Sequence, residues 1–418
     1  MADRRGEMVS PIGPSCRGCG ATLRHVMVDL GMCPLANSYR TPELRTMEPS
    51  YPLCVYVCEC CLLAQIEPVA KPEEIFSDYA YFSSYSDTWL DHARAYADMA
   101  IARFHLGPAS RVIEVASNDG YLLQYFAARG VPVLGVEPAR NIADVAVRKG
   151  IPTIVEFLGA AVARRLGQDG HAADLLVGNN VLAHVPDLHN FVEGLRTLLM
   201  PQGVISMEFP HLLRLMAENQ FDTIYHEHVF YYSFLAVERV FRGHGLALFD
   251  VEELPTHGGS LRVYACHAGT RREEPRVPAL RAMEEAAGLT RMATYAAFGE
   301  QVKKTKRKLL QFLITAKGQG KSLVGYGAAA KGNTLLNFCG IRTDFLDYTV
   351  DRNPHKQGRL LPGSGIPIHP PERIRQTRPD YLLILPWNLR EEIMRQMAHI
   401  AEWGGRFVVP IPEVCVYP

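Results

Sequence analysis

Between Phe221 and Tyr232 the chain sets a phenol, two imidazoles and a carboxylate side by side, as Tyr225, His226, Glu227 and His228. Zinc-protease chemistry needs histidines four apart on one helical face; these are two apart, so the cluster reads as acid–base machinery. Removing a proton alpha to a ketone takes a group that is unprotonated near neutral pH, beside donors that hold the enolate oxygen. His228 or Glu227 fits the base and Tyr225 the donor, with His226 next to them for substrate contact. Further tyrosines, among them Tyr79 and Tyr81, stand upstream of the first strand of an α/β pattern, where a lid over a pocket would lie. His184 follows a strand end at the same mouth, a position that suits ligand contact and ordinary packing equally.

A second constellation is made of sulfur. Of ten cysteines, seven (16, 19, 33, 54, 58, 60 and 61) fall in the first 61 residues. Two Cys-x-x-Cys knuckles, Cys16 with Cys19 and Cys58 with Cys61, can place four thiolates around zinc and hold together a segment with little core of its own. The 38 residues between the pairs exceed the usual ribbon spacing, and Cys54 or Cys60 could replace a ligand. Four thiolates leave no open coordination position, which makes the zinc structural.

The elements that must position these groups follow from periodicity. A helical pattern covers Trp89–Phe104; apolar runs at Arg111–Ala116, Pro132–Val136, Asp174–Val177 and Gly203–Glu208 alternate with helical stretches at Tyr121–Arg129 and Asn141–Lys149. That is the rhythm of a doubly wound parallel sheet, finished by an antiparallel pair at Phe249–Glu253 and Ser260–His267. After the proline-containing segment Thr270–Pro278 comes one long helical pattern, Arg281–Ala316, and then a second α/β unit with strands at Ser322–Gly325, Phe345–Val350, Tyr381–Leu385 and Arg406–Val409. The spacing gives three units: a zinc-binding domain at 1–75, an α/β domain at 76–268 and a second α/β domain at 269–418.

In a doubly wound sheet the first strand–helix turn binds cofactor. Here it runs from Glu114 to Gly120 with one glycine, so the Gly-x-Gly-x-x-Gly cradle for pyrophosphate is absent and a cofactor with ribose but no pyrophosphate fits better. S-adenosylmethionine (SAM) is such a molecule. Asn118, Asp119 and Gly120 would meet its amino-acid end, Glu137 at the end of the next strand its ribose, and Glu114 and Asn179 the same pocket. In the last unit the small residues from Gly325 to Asn333 open a helix, with Lys331 in its first turn, a site that attracts phosphate or simply packs a helix. If it binds, Tyr326, Lys331 and Asn333 would hold the diphosphate part of a nucleotide-bearing substrate.

Lys plus Arg and Asp plus Glu balance at 44 each, and 48% of residues are hydrophobic, which disfavours disorder and a nucleic-acid partner. The longest apolar runs are strand-sized, far short of a membrane span, and the mixed-charge N-terminus does not read as a secretory signal. A cytoplasmic protein, monomeric or a small homo-oligomer, is expected. Two rival readings are a NAD(P)-dependent nucleotide-sugar oxidoreductase and a non-enzymatic zinc-containing interaction protein.

Taken together, Cys16/Cys19 and Cys58/Cys61, the segment Pro34–Asn37, Tyr81–Ser84, Glu114–Gly120, Tyr225–His228, Thr256–Arg262 and Gly325–Gly332 resemble, in that order and over nearly the whole chain, the zinc-containing, SAM-dependent nucleotide-sugar C-methyltransferases. The resemblance implies a small four-cysteine zinc domain, a doubly wound class I methyltransferase domain and a Rossmann-like C-terminal α/β domain. It also implies methylation at C-3 of a dTDP- or GDP-linked 4-keto-6-deoxy sugar through an enolate. On that reading His228 is the base, while Glu227, Tyr225 and Tyr79 position the sugar and steady the enolate oxygen. His184, His226, Arg262, Tyr326, Lys331 and Asn333 would contact substrate.

Overall fold

The computed structural model describes residues 13–43, 47–70, 82–85 and 87–418, so Tyr79 and Tyr81 lie outside the described residues. Along the chain come β1 (His25–Cys33), β2 (Tyr51–Val57), β3 (Ala64–Gln65), α1 (Asp87–Phe104), β4 (Val112–Val115), α2 (Leu123–Ala127), β5 (Val133–Val136), α3 (Arg140–Arg148), β6 (Thr153–Ile154) and α4 (Ala160–Gln168). They are followed by β7 (Ala173–Asn179), α5 (Leu188–Leu198), β8 (Leu199–Pro210), α6 (Leu212–Ala217), β9 (Phe230–Tyr231), α7 (Phe234–Gly243), β10 (Leu246–Leu254), β11 (Ser260–His267), α8 (Arg276–Ala286) and α9 (Met292–Gly318). The last unit adds β12 (Leu323–Tyr326), α10 (Ala330–Cys339), β13 (Thr349–Val350), β14 (Ile368–His369), α11 (Arg373–Thr377), β15 (Tyr381–Ile384), α12 (Arg390–Gln396), β16 (Arg406–Val409) and β17 (Cys415–Tyr417).

Among the described residues these strands form three sheets, ordered β1-β2-β3-β9, β10-β11-β8-β7-β4-β5-β6 and β14-β13-β12-β15-β16-β17. In the second, β4 is parallel to both β5 and β7, whereas β11 runs antiparallel to β8 and β10. Val112, Ile113 and Val115 of β4 are buried because helices cover both faces, each side chain contributing roughly 1.5–3 kcal/mol. Strand order reverses between β4 and β7 in this sheet and between β12 and β15 in the third. Each reversal opens a crevice at the carboxyl ends of those strands.

The first sheet is completed from afar: β9 pairs with β3, Ala64 opposite Tyr231 and Gln65 opposite Phe230. One apolar core runs from Met27, Leu53 and Val55 of the N-terminal sheet, through Tyr295, Phe298 and Val302 of α9, to Leu323, Leu336 and Leu383 of the C-terminal unit. α9 therefore serves both ends of the chain. Where α7 begins, the Ser233 side chain accepts from Ala236 N, and the buried Glu284 carboxylate from α8 accepts from Phe234 N and Leu235 N as well as pairing with His211. An anion at a helix N-terminus is favourable in itself.

Two expectations about elements are corrected. The pattern at Arg281–Ala316 is two helices, because Gly288 takes φ +87° with Arg291 and Thr294 packed where a Cβ would stand, and α8 already starts inside the expected linker. In Phe345–Val350 only Thr349–Val350 is strand, since Phe345 N and Leu346 N both donate to Arg342 O and close a turn instead.

Candidate active site and metal centre

The sulfurs of Cys16, Cys19, Cys58 and Cys61 lie within 4.8 Å of one another, with 3.5 Å between Cys16 and Cys61 and between Cys19 and Cys58. A tetrahedron with Zn–S near 2.3 Å puts its sulfurs about 3.8 Å apart, so the cluster has the right dimensions. Gly18 N and Gln65 Nε2 donate to Cys16 Sγ at 3.3 and 3.1 Å, as suits a thiolate. Cys33 packs in the core of β1, and Cys54 and Cys60 stand outside the cluster.

Tyr225 to His228 form a turn closed by His228 N donating to Tyr225 O at 2.9 Å. The turn is clamped at its exit, where Val229 N donates to Ala183 O and Val229 O accepts from Ile66 N. A turn sends successive side chains different ways, and here they part into three directions. His228 Nδ1 donates to Thr223 O at 3.1 Å, which leaves Nε2 with the lone pair and makes the Tyr225 hydroxyl, 3.0 Å away, its donor. Burial, then the neighbouring His184, hold His228 well below the usual imidazole pKa, so the ring is neutral. His184 meets it edge-on at 4.7 Å, donates Nδ1–H to Glu227 O and is pushed by burial to about 4.

Glu227 turns toward the N-terminal unit, where its Oε1 accepts from Asn37 Nδ2 at 2.7 Å. Burial raises its pKa against the pull of that bond and of Lys356, a lysine that itself donates to Ala328 O and lies over the Tyr39 ring. His226 is not brought to the Tyr225–His228 side: its Nε2 faces Pro52 O and its ring meets Tyr51.

At the carboxyl ends of β4 and β7 lies a ring of acceptors. Glu114 is fully buried; Asp119 Oδ1 and Asn179 Oδ1 have no donor among the described residues. Asn179 Nδ2 donates to Tyr121 OH, while Lys149 and Ser84 bind the other oxygen of Asp119, and Ser83 N donates to Asn118 Oδ1. Unmet buried acceptors fit a cationic ligand such as the ammonium and sulfonium of SAM. Glu137 accepts from Asn118 N and Ala139 N, and each oxygen keeps a second lone-pair direction for a hydroxyl. Gly120, at φ +78°, lets the loop turn against Ile151 without room for a Cβ.

From the third sheet, Lys331 at the start of α10 donates to Asn388 Oδ1 and lies 4.8 Å from the centre of the Trp387 ring. Burial holds the pKa of His228 well below the ordinary imidazole value, and the charge of Lys331 adds to that lowering. Trp387 donates its indole N–H to Asp222 at 2.8 Å, tying the C-terminal unit to the helical turn that precedes Tyr225. Tyr326 lines a cleft of about 580 Å³ with Arg352, Gln357 and Gln396, whereas Asn333 is buried and donates to Ala36 O. Arg262 is not brought to this mouth. Its guanidinium is spent on Glu208 and Glu252 and packs over Tyr96, because a buried charge must be paired.

Sequence reading gave no role to Asn37, Lys356, Asn180, His257, Trp89, Asp222 and Trp387. Asn37, Trp89, Asp222 and His257 sit within quoted segments, and what these residues touch is seen only in contacts distant in sequence.

A doubly wound sheet whose first turn offers acceptors for SAM, beside an acid–base cluster, defines a SAM-dependent methyltransferase. Family models match in three places: "Putative zinc binding domain" over residues 16–76, "Methyltransferase domain" over 89–251 and "C-methyltransferase C-terminal domain" over 255–412. The C-methyltransferase NovU of Streptomyces niveus is 36% identical over 409 residues, 97% of each chain, and this chain belongs to that family of C-methyltransferases. Trans-aconitate 2-methyltransferase of Paracidovorax citrulli is 30% identical over 112 residues, 26% of this chain and 42% of that one. The crystal structure of magnesium protoporphyrin IX methyltransferase from Synechocystis PCC 6803 aligns at 15% identity and TM-score 0.35, covering 43% of this chain and 83% of that chain. The protein is thus a SAM-dependent C-methyltransferase with a zinc-binding N-terminal unit. Among its described residues no helix is long and apolar enough to cross a membrane.

Proposed function

We propose that the methyl acceptor is a 4-keto-6-deoxy sugar carried on dTDP or GDP, methylated at C-3, and that His228 is the base. The observation that carries this reading is the Tyr225–His228 pair. A hydroxyl donor and an imidazole lone pair 3.0 Å apart match the two needs of one enolisable unit. Nε2 would take the C-3 proton while the Tyr225 hydroxyl turns to the C-4 oxygen, and the imidazolium so formed is balanced by the enolate beside it. SAM, when bound, supplies an electrophilic methyl group. Glu114, Asn118, Asp119, Gly120, Glu137 and Asn179 would hold it; Glu227, and Tyr79 from outside the described residues, would orient the sugar with His184.

Lys331 would face the diphosphate, and the Tyr326 cleft would take the nucleoside. For Arg262, His226 and Asn333 the observed contacts support an indirect part, holding the walls in place. The same reading keeps the units 1–75, 76–268 and 269–418, with β9 lent by the second to the first. Its test is incubation with SAM and either dTDP- or GDP-4-keto-6-deoxyhexose in deuterated water. A product one methyl heavier at carbon is expected, and no mass gain with either nucleotide series overturns the acceptor assignment.

A further inference from the structure

The hairpin between β10 and β11 brings Thr256, His257, Gly258 and Gly259 up to Trp387, the ring over which Lys331 lies. His257 holds φ +55° and ψ +20°, a left-handed conformation that is costly for a bulky residue and is kept where surrounding structure enforces it. The enforcement is visible. Thr256 Oγ1 donates to buried Glu208, Gln220 Nε2 donates to Gly258 O, and at Gly258 and Gly259 a Cβ would strike Trp387 and Arg214. The ring is exposed to solvent yet walled by Trp89 at 5.2 Å and by Asn180, whose Nδ2 lies 3.2 Å from its Nε2. Asn180 sits at the carboxyl end of β7 and is itself left-handed at φ +55°. With Nε2 accepting from an amide, the proton of the neutral ring is on Nδ1, for which the described residues provide no partner.

We propose that His257 is a second substrate-facing imidazole, which positions the methyl acceptor by donating its Nδ1–H to an oxygen of the sugar whose proton His228 removes. The proposal rests on the acceptor reading above. A donor here fixes the carbon nucleophile relative to the crevice between β4 and β7 without competing for the proton that His228 removes.

The test uses His257→Gly and His257→Asn in the full-length enzyme, with SAM and the dTDP- and GDP-4-keto-6-deoxyhexoses as probes. Glycine suits the left-handed backbone, so Tm should stay within about 2 °C of wild type. SAM affinity should hold within about 2-fold while KM for the sugar rises about 10-fold or more. Asparagine, whose amide can stand near the Nδ1 position and which tolerates this backbone, should recover most of that loss. An unchanged KM in the glycine variant overturns the inference. So does a raised KM that comes with a fallen Tm and no recovery by asparagine, because the ring would then only pack. Wild-type enzyme inactive on both sugars overturns the acceptor reading and this inference with it, whereas active wild type with indifferent variants overturns this inference alone.

Discussion

The Tyr225 hydroxyl and the His228 Nε2 stand 3.0 Å apart within one turn, and the carbonyl of Thr223 decides which of them carries the proton. Because that carbonyl occupies Nδ1–H, the lone pair is fixed on Nε2 and the phenol must be the donor. The two groups therefore act as a unit. His228→Gln should lower kcat by about 10²–10⁴-fold and Tyr225→Phe by about 10-fold or more, while the double variant falls little below the first. Steady-state kinetics on the four proteins check this, with SAM affinity by calorimetry expected to be unchanged.

The acid limb of the pH–rate profile should lie well below pH 6.5. His228 has its pKa lowered by burial, so the basic form persists as pH falls and is lost only through that lowered value. Stability follows the same sign. His184, near 4 when folded and about 6.5 when unfolded, takes up its proton more readily in the unfolded chain, so folding weakens between pH 6.5 and 4 at about 1.4 kcal/mol per pH unit. Denaturant unfolding at pH 7 and 5 measures the second effect and kcat/KM against pH the first; an acid limb centred at pH 7 would count against His228 as base.

Removing zinc should reach the active site. Cys61→Ser should cut the bound metal from about one ion per chain and lower Tm. It should also lower kcat about 10-fold through β3 and β9 while SAM affinity is kept, since Ile66 N holds the carbonyl of Val229 next to His228. Metal analysis with kinetics on the same sample reads both.

Glu284→Ala should cost about 3–5 kcal/mol, because it strands a buried His211 and two backbone N–H groups at the start of α7. Glu284→Gln keeps the shape and part of the bonding, and should cost clearly less. Urea unfolding of both variants gives the comparison.

Lys331→Met should raise KM for the nucleotide sugar by about 10–100-fold with little change in SAM affinity, because it removes the cation nearest the proposed diphosphate. The loss should shrink as salt rises, which the same assay at low and high ionic strength shows.

Much of this molecule is legible from local pattern. The run Val112–Val115 with a turn ending in Gly120 announces a parallel strand and its crevice, and the closeness of Tyr225 to His228 marks the segment for which proton chemistry is proposed. Local pattern fails where partners are far apart. Nothing in the sequence near Glu227 shows that Asn37, 190 positions earlier, holds its carboxylate, or that Arg262 is consumed by Glu208. Helical periodicity continues smoothly across Gly288, so the break there is seen only in its φ angle. His226 and His228 share a residue type and a neighbourhood, yet a turn turns them apart.

The pairing of Phe230 and Tyr231 with Ala64 and Gln65 bears on how relatives can be recombined. A chimaera that exchanges the first seventy residues alone would lay a foreign strand edge along a native one, two positions from His228. The N-terminal module and this short strand are best inherited as one package, and hybrids that carry both should be the ones that keep turnover.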